Sequence, residues 1–349
     1  MSHITTLIPA YKKDYLADVF LGLRRQSFKD FEVIVSDDSP GNVITDMIRN
    51  KHWGALTDGL HLSVVTGPKN ARRNHEQLLD LWAGRTPLVH FHLDDDILYP
   101  EFYRTHVQAH TLAPCCATVS QRWLSHADGM PAWTLPLPDL VTQCDGHLLQ
   151  LTREELFNST VGSCDNWLGE LSNMVFSAEG AALYPRPPAE DLSYYALLDI
   201  GALLTASEAQ PVTVIREYLS VFRQHEQQTT QQMTSGSHGG RIGFLAWITY
   251  ALAAWRDGLI EPTVAVKAIG IATRRIVQHF PDSPEMAPFF HILDTQANSL
   301  DQLYLAYRSF WLQLLASQPG TSPALTRTPV VMPTTPASAT APSDEALHA

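Results

Sequence analysis

Apolar and polar positions recur with two different periods over the first 120 residues. "ITTLI" (4–8), "FEVIVS" (31–36), "LHLSVV" (60–65) and "PLVHFHL" (87–93) are short β-type runs. Between them the period lengthens to that of a helix. Leu16, Val19, Phe20 and Leu23 form one stripe, with Asp14 placed to cap it, and "NARRNHEQLLDLW" (70–82) forms another. Strands alternating with helices predict an α/β fold, a mainly parallel sheet covered on both faces. Ligands of such sheets sit beyond the carboxyl ends of the strands. Three of the strands end in polar turns, "PAYKK", "SDDSPGN" and "DDD".

From about 115 to 225 the pattern is less regular. "NMVFS" and "VTVIREYLSVF" read as strands and "SYYALLDIGALLTA" as a helix. Residues 241–317 are mostly helical, with Leu245, Ile248, Leu252 and Trp255 along one face. After 318 the chain is rich in Pro, Thr, Ser and Ala, with too little apolar surface to offset its ordering entropy, and is expected to be disordered. The chain therefore divides into an α/β domain over 1–230, in halves 1–115 and 116–230, a helical region over 240–317 and a tail over 318–349. The run "IGFLAWITYALAAW" (242–255) is shorter than a bilayer crossing requires. It reads as a buried helix, the alternative being a helix lying on a membrane surface.

Charge narrows the partners. A formal net charge of −12 argues against general binding to nucleic acid or anionic membranes, which calls for basic patches. It leaves room for an anionic ligand held through a metal. The four cysteines show no zinc-type spacing and no apolar export signal opens the chain, so the expectation is a cytoplasmic protein with reduced thiols.

Three consecutive carboxylates, Asp94, Asp95 and Asp96, close the fourth strand. At roughly 5 Å and an effective dielectric of 20, each pair costs about 3 kcal/mol. Either water screens a solvated acidic turn, or a divalent cation turns repulsion into attraction. Hard oxygen ligands suit Mg²⁺ or Mn²⁺, which take one or two protein carboxylates and complete their shell with water and phosphate.

The surrounding blocks carry a resemblance. The first is "TLIPAYKKDYLADVFLGLRRQSFKDFEVIVSDDSPGN", a strand ending in Pro9-Ala10-Tyr11, a helix closing on Gln26-Ser27-Phe28 and a strand ending in Asp37-Asp38-Ser39. The second is "ARRNHEQLLDLWAGRTPLVHFHLDDDILYP". Over about residues 3–228 the chain resembles the family 2 glycosyltransferases, inverting enzymes of the GT-A fold. The resemblance implies that Pro9, Tyr11 and Asp38 line the nucleotide base and ribose. Asp38 would accept from a ring N–H, which favours uracil or thymine. It implies Arg73 against the nucleotide, Asp94 near the ribose, and Asp95 and Asp96 on a Mn²⁺ or Mg²⁺ ion bridging the diphosphate. Read as DxD, the metal pair is Asp94 and Asp96; counted back from Pro100, Asp95 is the ligand.

In that family an acidic residue opens a helix and is followed about two dozen residues later by a strand ending in Arg-x-His. "VFRQHEQQ" supplies Arg223 and His225, and counting back reaches Asp199, with Asp191 as the fallback. Asp199 is thus the expected base, deprotonating an acceptor hydroxyl. The family usually has Glu just before this Asp, where this chain has Leu198. By the same resemblance His225 completes the metal shell or contacts the diphosphate, and Arg223 neutralises the leaving group. His90 and His92, alternating on one strand, read as satisfied structural histidines. The expected partners are a nucleotide-sugar donor and a glycan, lipid-linked or protein acceptor, with peripheral membrane contact open. Two other readings stand beside this one: a silent nucleotide-sugar-binding module, and a sugar nucleotidyltransferase, which "LIPAYKKDY" disfavours for want of a Gly-rich phosphate loop.

Overall fold

The computed structural model describes residues 2–185, 190–226, 228 and 238–317; the expected tail after 318 lies outside them. Four parallel strands form one half of a sheet: β1 (Ile4–Ala10), β2 (Phe31–Asp37), β3 (Leu62–Thr66) and β4 (Leu88–Phe91), in the order β3-β2-β1-β4. Alternation along β1 splits its side chains between two cores: Leu7 packs on one face, Ile4 and Ile8 on the other. Helix α1 (Leu16–Arg24) buries the predicted stripe Leu16, Val19, Phe20 and Leu23 on the Ile4/Ile8 face. Asp14 does not cap it; its carboxylate pairs with Lys13 in solvent. The next helices are α2 (Val43–Arg49), α3 (Gly54–Thr57) and α4 (Ala71–Trp82). Asn70 caps α4 by accepting from the Arg73 N–H at 3.0 Å, and the helix ends at left-handed Ala83 and Gly84.

The sheet continues past β4. After β5 (Ile97–Leu98) and α5 (Phe102–Leu112) come β6 (Ala117–Ser125), β7 (Pro131–Trp133), α6 (Asp139–Thr142), β8 (Leu148–Leu151) and α7 (Arg153–Thr160). Then follow β9 (Met174–Ser177), α8 (Ala178–Ala182), α9 (Leu198–Ala206) and β10 (Val212–Arg223). The order runs on as β4-β9-β6-β10-β5, with β9 antiparallel to both neighbours and β6 parallel to β10. The carboxyl ends of β1, β2, β4, β6 and β10 therefore share one rim with the start of β9.

Four helices complete the described chain: α10 (His238–Arg256), α11 (Pro262–His279), α12 (Ala287–Gln296) and α13 (Leu300–Ala316). Leu245, Ile248, Leu252, Tyr250, Tyr307 and Trp311 are buried and join the Leu7 face of the sheet in one continuous core. The apolar run at 242–255 is thus a core helix. No helix among the described residues is long and apolar enough to cross a membrane.

Candidate functional site at the strand ends

The acidic triplet is buried, not solvated. Asp94, Asp95 and Asp96 are 5%, 4% and 1% exposed, so water cannot screen them. The protein meets this load with its own donors. Asp94 Oδ2 accepts from the Tyr11 and Lys12 main-chain N–H groups, both at 2.6 Å, tying the triplet to the turn after β1. The Lys12 ammonium bonds Asp95 and lies 3.7 Å from Asp94 Oδ1 and 3.4 Å from His225 Nε2. Arg223, at the end of β10, donates its N–H to Asp96 Oδ1 at 3.1 Å and its Nε–H to the Asp95 carbonyl at 2.9 Å. Its guanidinium also pairs with Asp18 at 2.6 Å and lies over the Tyr15 ring. His225 Nε2 is 3.0 Å from Asp95 Oδ2.

Burial and mutual repulsion dominate the proton affinities. Burial first, then the charge of Asp95, pushes Asp94 up to about 6 against the pull of Lys12 and the two N–H groups. Asp96 is raised for the same two reasons. Burial opposes the charge on Lys12, but Asp94 and Asp95 outweigh it and raise its pKa overall.

A divalent cation requires convergent donor atoms that are free to bind it. Asp96 Oδ2 is buried without a hydrogen-bond partner, and Asp95 and His225 meet in one place. Carboxylate oxygens plus an imidazole nitrogen suit Mg²⁺ or Mn²⁺ when a diphosphate supplies the remaining ligands. The residues fit a cation on those terms, although it would share Asp95 with Lys12. Among the described residues no group of three or more His, Cys, Asp or Glu side chains is by itself arranged to hold one.

The second strand end is tightly turned. Burial would raise Asp37, but it accepts from the Ser39 hydroxyl, from the Thr45 N–H at 2.7 Å and from the Ser39 N–H at 2.9 Å, and these bonds hold it below the usual carboxylate range. Asp38, 5% exposed, accepts from the Lys69 N–H, and a Cβ at Gly67 would come within 2.5 Å of its Oδ1. Pro9 lies within β1 opposite Ser36, and Tyr11 is 58% exposed at the rim. Arg73 is exposed on the first turn of α4, where its main chain is what Asn70 holds. Its neighbour Arg72 instead stacks on the Tyr195 ring and donates to the Tyr195 carbonyl.

The two candidate bases differ sharply. Asp191 bonds Tyr304 and pairs with Arg308 at 3.3 Å, both from α13, so it anchors the helical region. Asp199 sits in the first turn of α9 and accepts from the Leu171 N–H at 3.2 Å. Burial, then the nearby charge of Glu170, pushes it up to about 7, against that N–H and Arg122. The helix is shorter than "SYYALLDIGALLTA" predicts: residues 193–197 are not helical. Tyr250 of α10 holds them, accepting from the Leu197 N–H at 2.8 Å and donating to the Tyr194 carbonyl at 3.0 Å. Gly201 is required here, since any Cβ would collide with the Tyr194 carbonyl.

One short segment links Asp199 and the triplet. Leu171 N–H holds Asp199, and Ser172 Oγ accepts from Leu93 N–H at 3.0 Å, one residue before the triplet. His90 bonds Tyr103 and the Ser172 carbonyl, both at 3.0 Å, as a satisfied histidine should. His92 departs from expectation: it is fully buried with no partner on either ring nitrogen, and burial keeps it neutral by lowering its pKa. Residue-type reasoning also passed over Lys12, Arg122 and Glu170. Lys12 had a visible signal, a cation one residue past Tyr11 at a strand end; the other two had none.

No family model and no curated protein matches the chain. Solved structures do. S. aureus TarS 1–349 in complex with UDP-GlcNAc superposes with a TM-score of 0.55 at 15% identity, covering 90% of this chain and 83% of that one. The same protein in complex with UDP gives 0.51 at 14% identity, covering 88% and 90%. At that identity the likeness establishes the fold: a curled, mostly parallel sheet flanked by helices, shared with TarS.

Proposed function

We propose that this protein is an inverting glycosyltransferase. It would move a sugar from a nucleotide-diphosphate donor, UDP- or dTDP-linked, to an acceptor hydroxyl of a glycan, lipid-linked glycan or protein. The fold neighbour that holds UDP-GlcNAc supports the donor class. The observation that carries the reading is the pairing of Asp199, a buried carboxylate raised to about 7, with the acidic triplet through residues 171–172.

The turn after β1, Asp38 and the triplet form the donor side, with Tyr11 exposed for contact with the base. Lys12 and Arg223 supply positive charge toward the diphosphate, where charge builds as the nucleotide leaves. Asp95, Asp96 and His225 would hold a Mn²⁺ or Mg²⁺ ion, which when bound stabilises the departing diphosphate. Asp199 takes the proton of the acceptor hydroxyl. The acceptor oxygen then forms its bond to the anomeric carbon while the bond to the diphosphate breaks, and the electron pair leaves with the nucleotide. A base near neutrality is matched to that task. The test is Asp199→Asn: single-turnover transfer should fall about a hundredfold, with UDP affinity by calorimetry unchanged. Turnover near the wild-type rate removes Asp199 as base.

A further inference from the structure

Glu170 is a carboxylate whose charge acts on Asp199 and which the proposed transfer leaves without a task. It directly precedes Leu171, whose N–H holds Asp199, and lies two residues before Ser172, whose Oγ accepts from the Leu93 N–H just before the triplet. Arg122 grips it with two bonds, Nε–H to Oε2 at 2.6 Å and Nη2–H to Oε1 at 3.2 Å, and donates a third from Nη1 to the Trp167 carbonyl at 3.1 Å. The fit is close. Gly169 has a φ of +110°, and a Cβ there would meet Arg122 Nε at 2.6 Å and Asn173 Oδ1 at 2.5 Å. The Glu170 N–H in turn donates to Asn173 Oδ1 at 2.8 Å. With Arg122 7% and Glu170 18% exposed, this is a built contact and not a solvated surface pair.

We propose that Glu170, gripped by Arg122, is a positioning residue of the transfer site: it fixes the segment joining Asp199 to the triplet and sets a negative charge against the base. This rests on Asp199 being the base. After burial, the charge of Glu170 is what raises the pKa of Asp199, while Arg122 opposes it. The other titratable groups facing Asp199 are Tyr184 and, from α10, Tyr250, with Arg72 and Glu76 of α4 and Tyr195 beyond them. Tyr184 and Tyr250 are raised by burial and stay neutral near pH 7, so Glu170 is the anion that changes the base.

The test is Glu170→Gln, which keeps the shape and removes the charge. Two readouts are taken: the acid limb of the kcat/KM profile, and the Asp199 side-chain carboxyl carbon followed by NMR against pH without any substrate. Both should move to lower pH by about one pH unit, with UDP affinity within about twofold of wild type, since no donor contact is touched. If Glu170→Gln does not fold, Arg122→Gln with Glu170→Gln leaves neither charge buried alone and should give a smaller move in the same direction. An NMR titration of Asp199 that stays put in a folded variant overturns the proposal. An NMR titration that moves while Asp199→Asn retains full turnover overturns the base assignment and not the effect of Glu170 on Asp199.

Discussion

On the proposed donor side, Asp94, Arg223 and the turn after β1 lie at the ends of strands in one sheet, so main-chain ladders already bring them together. On the side of the proposed base, Asp199 rides on a helix whose entry segment is held by Tyr250, with Tyr194 bonded to Asp257 at 2.8 Å and Asp191 tied to α13. The first side depends on sheet register; the second depends on side chains from helices more than fifty residues downstream. Damage to the two should therefore separate in binding and turnover.

The largest effect is expected at Arg223, which serves Asp95, Asp96, Asp18 and the Ala127 carbonyl at once. Arg223→Met keeps the main-chain N–H to Asp96 but leaves the Asp95 and Ala127 carbonyls without their donor and Asp18 without its pair; it should cost about 2–6 kcal/mol of stability by denaturant titration, with UDP binding lost. Retained UDP affinity would show that the triplet does not need its strand-end cation.

Next comes the pH dependence of Asp199. Its folded pKa of about 7 lies above the 3.8 of a free carboxyl. The stability from its neutral form is fully present below the unfolded value and is lost as pH rises from about 4 to 7. Asp199→Asn should match wild type at pH 4 and exceed it by about 2–4 kcal/mol at pH 8, even as transfer falls. Equal stability at both pH values would mean that the carboxyl ionises freely and is no neutral-range base.

The smallest effect is the cleanest test of the brace. Tyr250→Phe removes the hydroxyl shared by Tyr194 and Leu197 and should cost about 1–3 kcal/mol, with kcat reduced and UDP affinity unchanged. A fall in UDP affinity equal to the fall in kcat would erase the distinction between the two sides.

The parallel strands, the helix α1 stripe, the triplet and the Arg223-to-His225 pair were all legible because each is a local pattern with a fixed period or spacing. The preference for Asp199 over Asp191 came from the family resemblance and the position of Arg223 within it; what the structure adds is that Asp191 contacts Tyr304 and Arg308. Other features were not legible: Lys12 as the triplet's counter-charge, the early start of non-helical chain before Leu198, the orphaned His92, and Glu170 clamped by Arg122. Each depends on contacts between segments tens to more than two hundred residues apart, and periodicity carries no record of such contacts. Sequence alone determined which residues could be acids, cations and strand ends. Tertiary packing decided how far each was desolvated and which opposite charge it met, and proton affinity follows from those two quantities.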